Sequence, residues 1–319
     1  MRDAAVSLRV WGQVLSGWTS VEIIDSLEAL SPTFSLGYSD RCRTLDGSLR
    51  VGPGDECNLR MGDEMVLTGY VDDSQLEESA SSRSLSVSGR SRTCDLVDCS
   101  VVLKPSEWRD ATIDQIAEEL CEPYAILVFA QAPVGDPFRR FAIEPGETVF
   151  DCLSRAARQR GLMLQSTSSG DLAIAKLGAR SAPGQLQRGQ NILSASLSLS
   201  WAERYSEVRV LSQADDGGLF NQSASQTHAI ARDENIRRRR PLAIVADGAE
   251  SSAKLRERAN WEVSSRAGKG SRLSVTVRGW GTGNGLWRPN AVVHVDHDWL
   301  GLDTSMLISS VRYSLDDGG

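Results

Sequence analysis

Between Leu193 and Trp201 the chain alternates without a break. Leu193, Ala195, Leu197, Leu199 and Trp201 are apolar, and Ser194, Ser196, Ser198 and Ser200 lie between them. Successive side chains of a strand point to opposite faces, so this period of two describes a strand with one apolar face. A helix would scatter the same five residues around its circumference. Weaker versions recur at Val21–Asp25, Thr33–Leu36, Glu64–Val71, Ser84–Ser88, Glu207–Leu211, Arg272–Trp280, Ala291–Asp298 and Met306–Leu315. Turn sequences such as Gly52-Pro53-Gly54-Asp55 punctuate them. Short strands at this spacing point to small barrels or sandwiches. The polar, acidic stretch Asp72–Arg83 reads as a solvent-facing excursion between two strands.

The middle of the chain is mixed. Thr112 and Gln115 form a capping box, since a Thr hydroxyl can accept the third amide while the Gln side chain reaches back. Ile113, Ile116, Ala117 and Leu120 then mark one helical face, and Pro123 stops the helix. Ala125–Phe129 reads as a buried strand. A second helix opens at Thr148, buries Val149, Cys152, Leu153 and Ala156, and ends before Gly161. Leu162–Gln165 and Asp171–Ala175 flank Ser168-Ser169-Gly170 as a hairpin. Gly178–Gln190 has the composition of a linker. A last helix spans Ser251–Ala267, with Leu255, Ala259, Val263 and Ala267 in one row.

The expected fold class is therefore β-rich α+β, with two small β-barrel domains bracketing a small α+β domain. Residues 1–100 form the N-terminal β-barrel domain and residues 101–180 the α+β domain of two helices and a hairpin. Residues 181–319 form the second β-barrel domain, with a polar arm at about 213–240 and a helix at about 251–267.

Charge and motifs exclude more than they assign. Lys and Arg number 35 and Asp and Glu 42, a net charge of −7, which argues against a general nucleic-acid binder. The longest apolar run, Tyr124–Ala130, is far below the ~20 residues of a membrane helix. Met1-Arg2-Asp3-Ala4 opens no secretory signal, so the chain is expected to begin in the cytoplasm. Cys42, Cys57, Cys94, Cys99, Cys121 and Cys152 show no C-x-x-C spacing and read as structural thiols. His294-Val295-Asp296-His297-Asp298 looks most like a metal site, but on a strand His297 would point away from His294, Asp296 and Asp298. A polar strand face is the better reading. No G-x-S-x-G elbow is present, and His228 has no recognisable partner. Glu118-Glu119 read as a solvated helix surface. The alternating glycines 279–285 match neither a dinucleotide fingerprint nor a P-loop and read as a β turn. Arg237–Arg240 read as a solvated charge run, with contact with an acidic partner as the alternative. No catalytic, cofactor-binding or metal residue is assigned, no cofactor is expected, and the chain is not expected to be an enzyme. Gly146-Glu147-Thr148 loosely resembles the opening of a LysM peptidoglycan-binding module, except that a hairpin follows where that module has a second helix.

Several segments, in order, carry a stronger resemblance. They are Trp18–Ile23 leading into Ser31–Leu36; Gly69–Asp73 and Ser86–Thr93; Gly146–Asp151 with Arg155 and Arg158–Leu162; Asn191–Leu193 with Glu203–Glu207; and Leu286–Asn290 with Leu307–Val311. Together they resemble the baseplate hub proteins of Mu-like contractile-tail phages, the Mu tail protein P family. The resemblance implies a ring-forming homotrimer with two β-barrels per chain, adapting a sixfold tail tube to a threefold central spike. It implies partners in the spike, the tail tube and other baseplate proteins, and a place in the virion tail after assembly in the host cytoplasm. It implies no membrane contact and no specific nucleic-acid binding. It carries over no catalytic residue. The acidic balance suits a lumen through which DNA slides without sticking. The alternatives are a spike-base component of a related injection or secretion system and a peptidoglycan-binding tail component.

Overall fold

The computed structural model describes residues 5–40, 51–79, 83–102, 106–212, 228–246 and 252–316. Contacts divide the chain into two bodies. One holds residues 1–186, 279–296 and 303–319, and the other residues 187–278 and 297–302. The described chain is β-rich, with few helices.

The first body is organised by an eight-stranded sheet. Its strands are β1 (Val6–Val10), β2 (Gln13–Ser16), β3 (Ser20–Ser26), β4 (Ala29–Asp40), β5 (Glu56–Met61), β6 (Glu64–Glu78) and β7 (Arg83–Ser91). The eighth is the C-terminal strand Ser310–Leu315. The order is β2-β1-β5-β6-β7-β4-β3 and then the C-terminal strand, and every pairing is antiparallel. One face lines a single core. Leu8, Ile23, Leu36, Leu59, Val87 and Tyr313 are all buried in it, each from a different strand. Each such side chain contributes about 1.5–3 kcal/mol relative to exposure.

Two features of this sheet differ from the sequence reading. The acidic stretch from Asp72 to Glu78 continues β6 in register with β7 rather than leaving the sheet. A register shift between Val71 and Asp73 marks a bulge, and beyond it the strand is largely exposed, Leu76 included. The C-terminal strand, which continues from segments of the second β region, pairs with β3 from Ser310↔Ser26 to Leu315↔Val21. Backbones also crowd where β6 meets β7. A Cβ on Gly69 would lie 1.9 Å from the Arg90 carbonyl oxygen, so the position requires glycine.

After β7 come α1 (Cys94–Asp98), α2 (Ile113–Cys121) and α3 (Val149–Gln159). Both long helices begin as the sequence predicts. Gln115 accepts from the Thr112 amide at 2.9 Å, and the Thr148 hydroxyl accepts from the Asp151 amide at 3.1 Å. Gly161 takes the left-handed conformation, φ 62°, that ends α3. The helices pack Ile116, Leu120, Cys152 and Leu153 onto Leu172 and Ile174 of a three-stranded sheet. That sheet pairs Met163–Ser166 antiparallel, and Val128–Ala130 parallel, with Leu172–Ala175. The strand expected to be buried at Ala125–Phe129 is an edge strand instead, and Leu127 and Phe129 are exposed.

In the second body, Glu207–Leu211 lies between His228–Arg232, antiparallel, and Pro241–Val245, parallel. The arm expected over 213–240 thus contains a strand; residues 213–227 lie outside the described residues. Helix α4 (Ser252–Lys269) covers one face of this sheet, packing Leu255 and Ala259 on Val208, Val210, Ala229 and Ala231. The serine-alternating segment is the strand Ile192–Leu199, which among the described residues forms a two-stranded ribbon with Ser271–Val277, with one further bridge from Ile192 to Arg188.

Candidate functional site

The residues that most resemble a chemical centre do not form one. His294 meets Asp303 at 3.3 Å on the outer face of its strand. His297 is buried, and its Nδ1 accepts from the Leu300 amide at 3.3 Å, so one ring nitrogen is committed to closing a turn. Asp298 lies beyond the strand end and pairs with Arg188 at 2.7 Å. Among the described residues, no group of three or more His, Cys, Asp or Glu could hold a metal ion. Burial pushes the Cys57, Cys94, Cys121 and Cys152 thiols up to about 12, which leaves them protonated and inert at neutral pH. Cys42 lies outside the described residues. In the glycine run, Gly281-Thr282 pairs with Gly285-Leu286 as a small hairpin tied by Thr282 Oγ1 to the Pro183 carbonyl at 3.0 Å.

What the fold presents instead is surface of a kind that associates. The pair Ile192–Leu199 and Ser271–Val277 sets Leu197 opposite Leu273 and Ala195 opposite Val275, so its apolar residues share one face. Among the described residues that face is only partly covered: Ala195, Leu197, Leu273 and Val275 are half-buried, while Leu193 is 65% exposed and Leu199 69%. An isolated two-stranded ribbon is at best marginal in water, and edges without Lys or Pro invite pairing. At the turn between β1 and β2, Trp11 and Gly12 both have positive φ, 50° and 78°, the geometry of a type I′ hairpin turn. A bulky residue there is strained, and the Trp11 ring is 78% exposed. Trp299 caps another turn and is 75% exposed. Large exposed aromatic groups at rigid turns are what protein interfaces use as anchors.

A polar cluster locks the C-terminal strand to the first sheet. Tyr313 donates its hydroxyl to the Trp287 carbonyl. Arg288 reaches both Glu64 Oε2 and the Met65 carbonyl at 3.2 Å. Burial pushes the Asp25 carboxyl up to about 6, against the pull of Arg288 and a backbone hydrogen bond at Ser26.

Four family models match the chain in sequence. Residues 5–91 match the N-terminal part of the Mu phage baseplate assembly protein GpP-like family, and residues 93–176 the second domain of baseplate hub protein gp44-like. Residues 204–261 match the third domain of tail protein NMB1110-like, and residues 251–319 the fourth domain of Mu phage baseplate assembly protein GpP. Baseplate hub protein gp44 of Escherichia phage Mu is 31% identical over 323 residues, covering 98% of this chain and 84% of gp44. The chain belongs to the Mu baseplate hub family. Two solved structures are similar to this hub-family chain over nearly all of its length. The 43 kDa tail protein of prophage MuSo2 from Shewanella oneidensis is 36% identical with a TM-score of 0.87, covering 99% of this chain and 95% of its own. The tail protein of Neisseria meningitidis MC58 is 25% identical with a TM-score of 0.83, covering 98% and 93%. In this hub-family fold the sequence signal for the exposed ribbon was strong, but alternation reveals that a strand has an apolar face and not what covers it. Trp11 carried no signal beyond its Gly12 neighbour.

Proposed function

We propose that this chain is the structural hub of a contractile-tail baseplate, from a phage or prophage, and that three copies close into a ring. Its role is mechanical rather than enzymatic. The observation that carries this reading is the 31% identity to the Mu baseplate hub protein across 98% of the chain. The exposed ribbon supports it, since a ring of identical copies supplies cover head to tail and leaves no end open. In this reading the three segments 1–100, 101–180 and 181–319 act as barrel, insert and barrel, and residues 310–315 return a strand to the first. Two barrels per chain present six similar positions toward the tail tube and a threefold face toward the spike. The partners are further copies of the chain, the spike, the tube and neighbouring baseplate proteins, and the mature location is the virion tail. Light scattering across a dilution series tests the ring: a species of about three times the 34.7 kDa chain mass supports it. A monomer that stays monomeric when the spike protein is added overturns it.

A further inference from the structure

Charge is distributed unevenly along this chain. Residues 187–278 and 297–302, the second body, hold 15 Lys and Arg against 11 Asp and Glu; the first body holds 20 against 31. The acidic average therefore hides one basic body and one strongly acidic body.

The basic charge is most concentrated in a loop whose backbone is fixed at both ends. At its start the Arg204 guanidinium grips Asp233 at 2.7 and 3.0 Å, and both side chains are buried. Asp233 Oδ1 accepts from the Asn235 amide at 3.1 Å, and Ile236 is buried. At its end the Arg240 amide donates to Ser206 Oγ at 2.8 Å, and the Ser206 amide donates to the Arg240 carbonyl at 2.9 Å. Arg240 also lies over the Tyr205 ring and donates to the Ala202 carbonyl at 2.8 Å. Between these anchors Arg237, Arg238 and Arg239 are exposed, and among the described residues no hydrogen bond or ion pair reaches them. The turn that Arg240 grips begins at Trp201, whose ring is 47% exposed and follows the exposed Leu199. Exposed arginines on a fixed backbone, tied through Arg240 and Ala202 to a turn that carries an exposed tryptophan, have the composition of an interface hot spot, with the ordering of the backbone already done.

We propose that the Arg237–Arg239 loop, with the Trp201 turn tied to it through Arg240, docks onto the acidic body of a second copy. The inference rests on the ring reading and adds which surface holds it closed. The charge distribution favours this occupant: each copy carries both the basic loop and an acidic body, so the contact is complementary head to tail. A chain that is acidic overall is a poor general ligand for nucleic acid.

The test compares the full-length wild type with R237E/R238E/R239E and R237K/R238K/R239K by light scattering over a dilution series in 0.1 M and 0.5 M salt. Circular dichroism and thermal melting confirm that each variant folds. The wild type should be trimeric, and higher salt should weaken it, since screening shortens the reach of exposed charges. The Glu variant should dissociate at concentrations at least roughly tenfold higher than the wild type, and the Lys variant should remain close to wild type. A trimeric wild type with an equally stable trimer in the Glu variant overturns this contact and leaves the ring intact. If the wild type is monomeric alone, the same comparison is made with the spike protein added; a wild type that stays monomeric then overturns the ring, and this contact falls with it. Heparin binding that the Glu variant loses while its trimer is unchanged assigns the loop to a polyanion instead and overturns the proposal.

Discussion

Replacing Asp25 by Asn should make the first sheet more stable at neutral pH and leave it unchanged in mild acid. Asp25 lies in β3, opposite Val311 of the C-terminal strand, and burial raises its carboxyl from 3.8 to about 6. A folded-state value above the unfolded one means that the folded chain binds the proton more tightly. Asp25 therefore costs nothing below about pH 4, and its cost grows as the pH rises through 4 to 6 and is constant above. A tenfold change in proton affinity corresponds to about 1.4 kcal/mol, so the unscreened cost is about 3 kcal/mol. The side chain retains part of its solvent contact, which reduces the realistic figure to about 1–2 kcal/mol. Urea unfolding of wild type and D25N at pH 4, 5, 6 and 7.5 measures it, with tryptophan fluorescence as the probe, because Trp287 is buried and its carbonyl accepts from Tyr313. The gap between the two proteins should open with rising pH and reach that magnitude at pH 7.5. A gap that does not change with pH refutes the reasoning. A variant clearly less stable than wild type at pH 7.5 refutes it too, by showing that the attraction of Arg288 outweighs burial.

Other expectations are as direct. Gly69→Ala places its methyl group against the Arg90 carbonyl and should cost several kcal/mol, about the upper range for single substitutions, in a urea melt. Leu153→Ala, in the fully buried helix core, should cost about 2–5 kcal/mol, and Thr148→Ala, which removes a cap, only about 1 kcal/mol. Burial opposes the charge on Asp233, but Arg204 holds its carboxyl below the usual range, so Asp233→Ala should destabilise the second body by about 3–5 kcal/mol by leaving Arg204 buried and unpaired. Cys57, Cys94, Cys121 and Cys152 should not react with a thiol reagent at pH 8 until the chain is unfolded.

Local physics was legible in the sequence. The capping residues Thr112 and Thr148, the apolar rows behind them and the left-handed Gly161 each follow from interactions within a few residues, so pattern alone found the helices. The hairpin from Met163 to Ala175 is local in the same sense. The misreadings were all non-local. Asp72–Glu78 is polar apart from Leu76 and shows no alternation, and only its register with β7 shows it to be strand. Val128–Ala130 has an apolar composition suited to a buried strand, yet it lies at an edge because of which strand it meets. The partner of the C-terminal strand lies too far away in sequence for any periodicity to reveal it. Of the proposed association surface, the alternating ribbon and the arginine run were visible as residues. The anchors that hold Arg237–Arg239 in place come from Ser206, Tyr205 and Asp233, and only the fold brings those together.

The pairing of Ser310–Leu315 with β3 also sets a schedule for synthesis. The side chain of Ser310 meets the backbone of Asp25 across 285 residues. At a ribosomal pace of about 5–20 residues per second, the β3 edge waits on the order of 15–60 s for its partner strand. Throughout that interval a nascent chain carries an unpaired edge that a neighbouring chain on the same message can also fill. Truncated products, which never receive the closing strand, should be the first to aggregate.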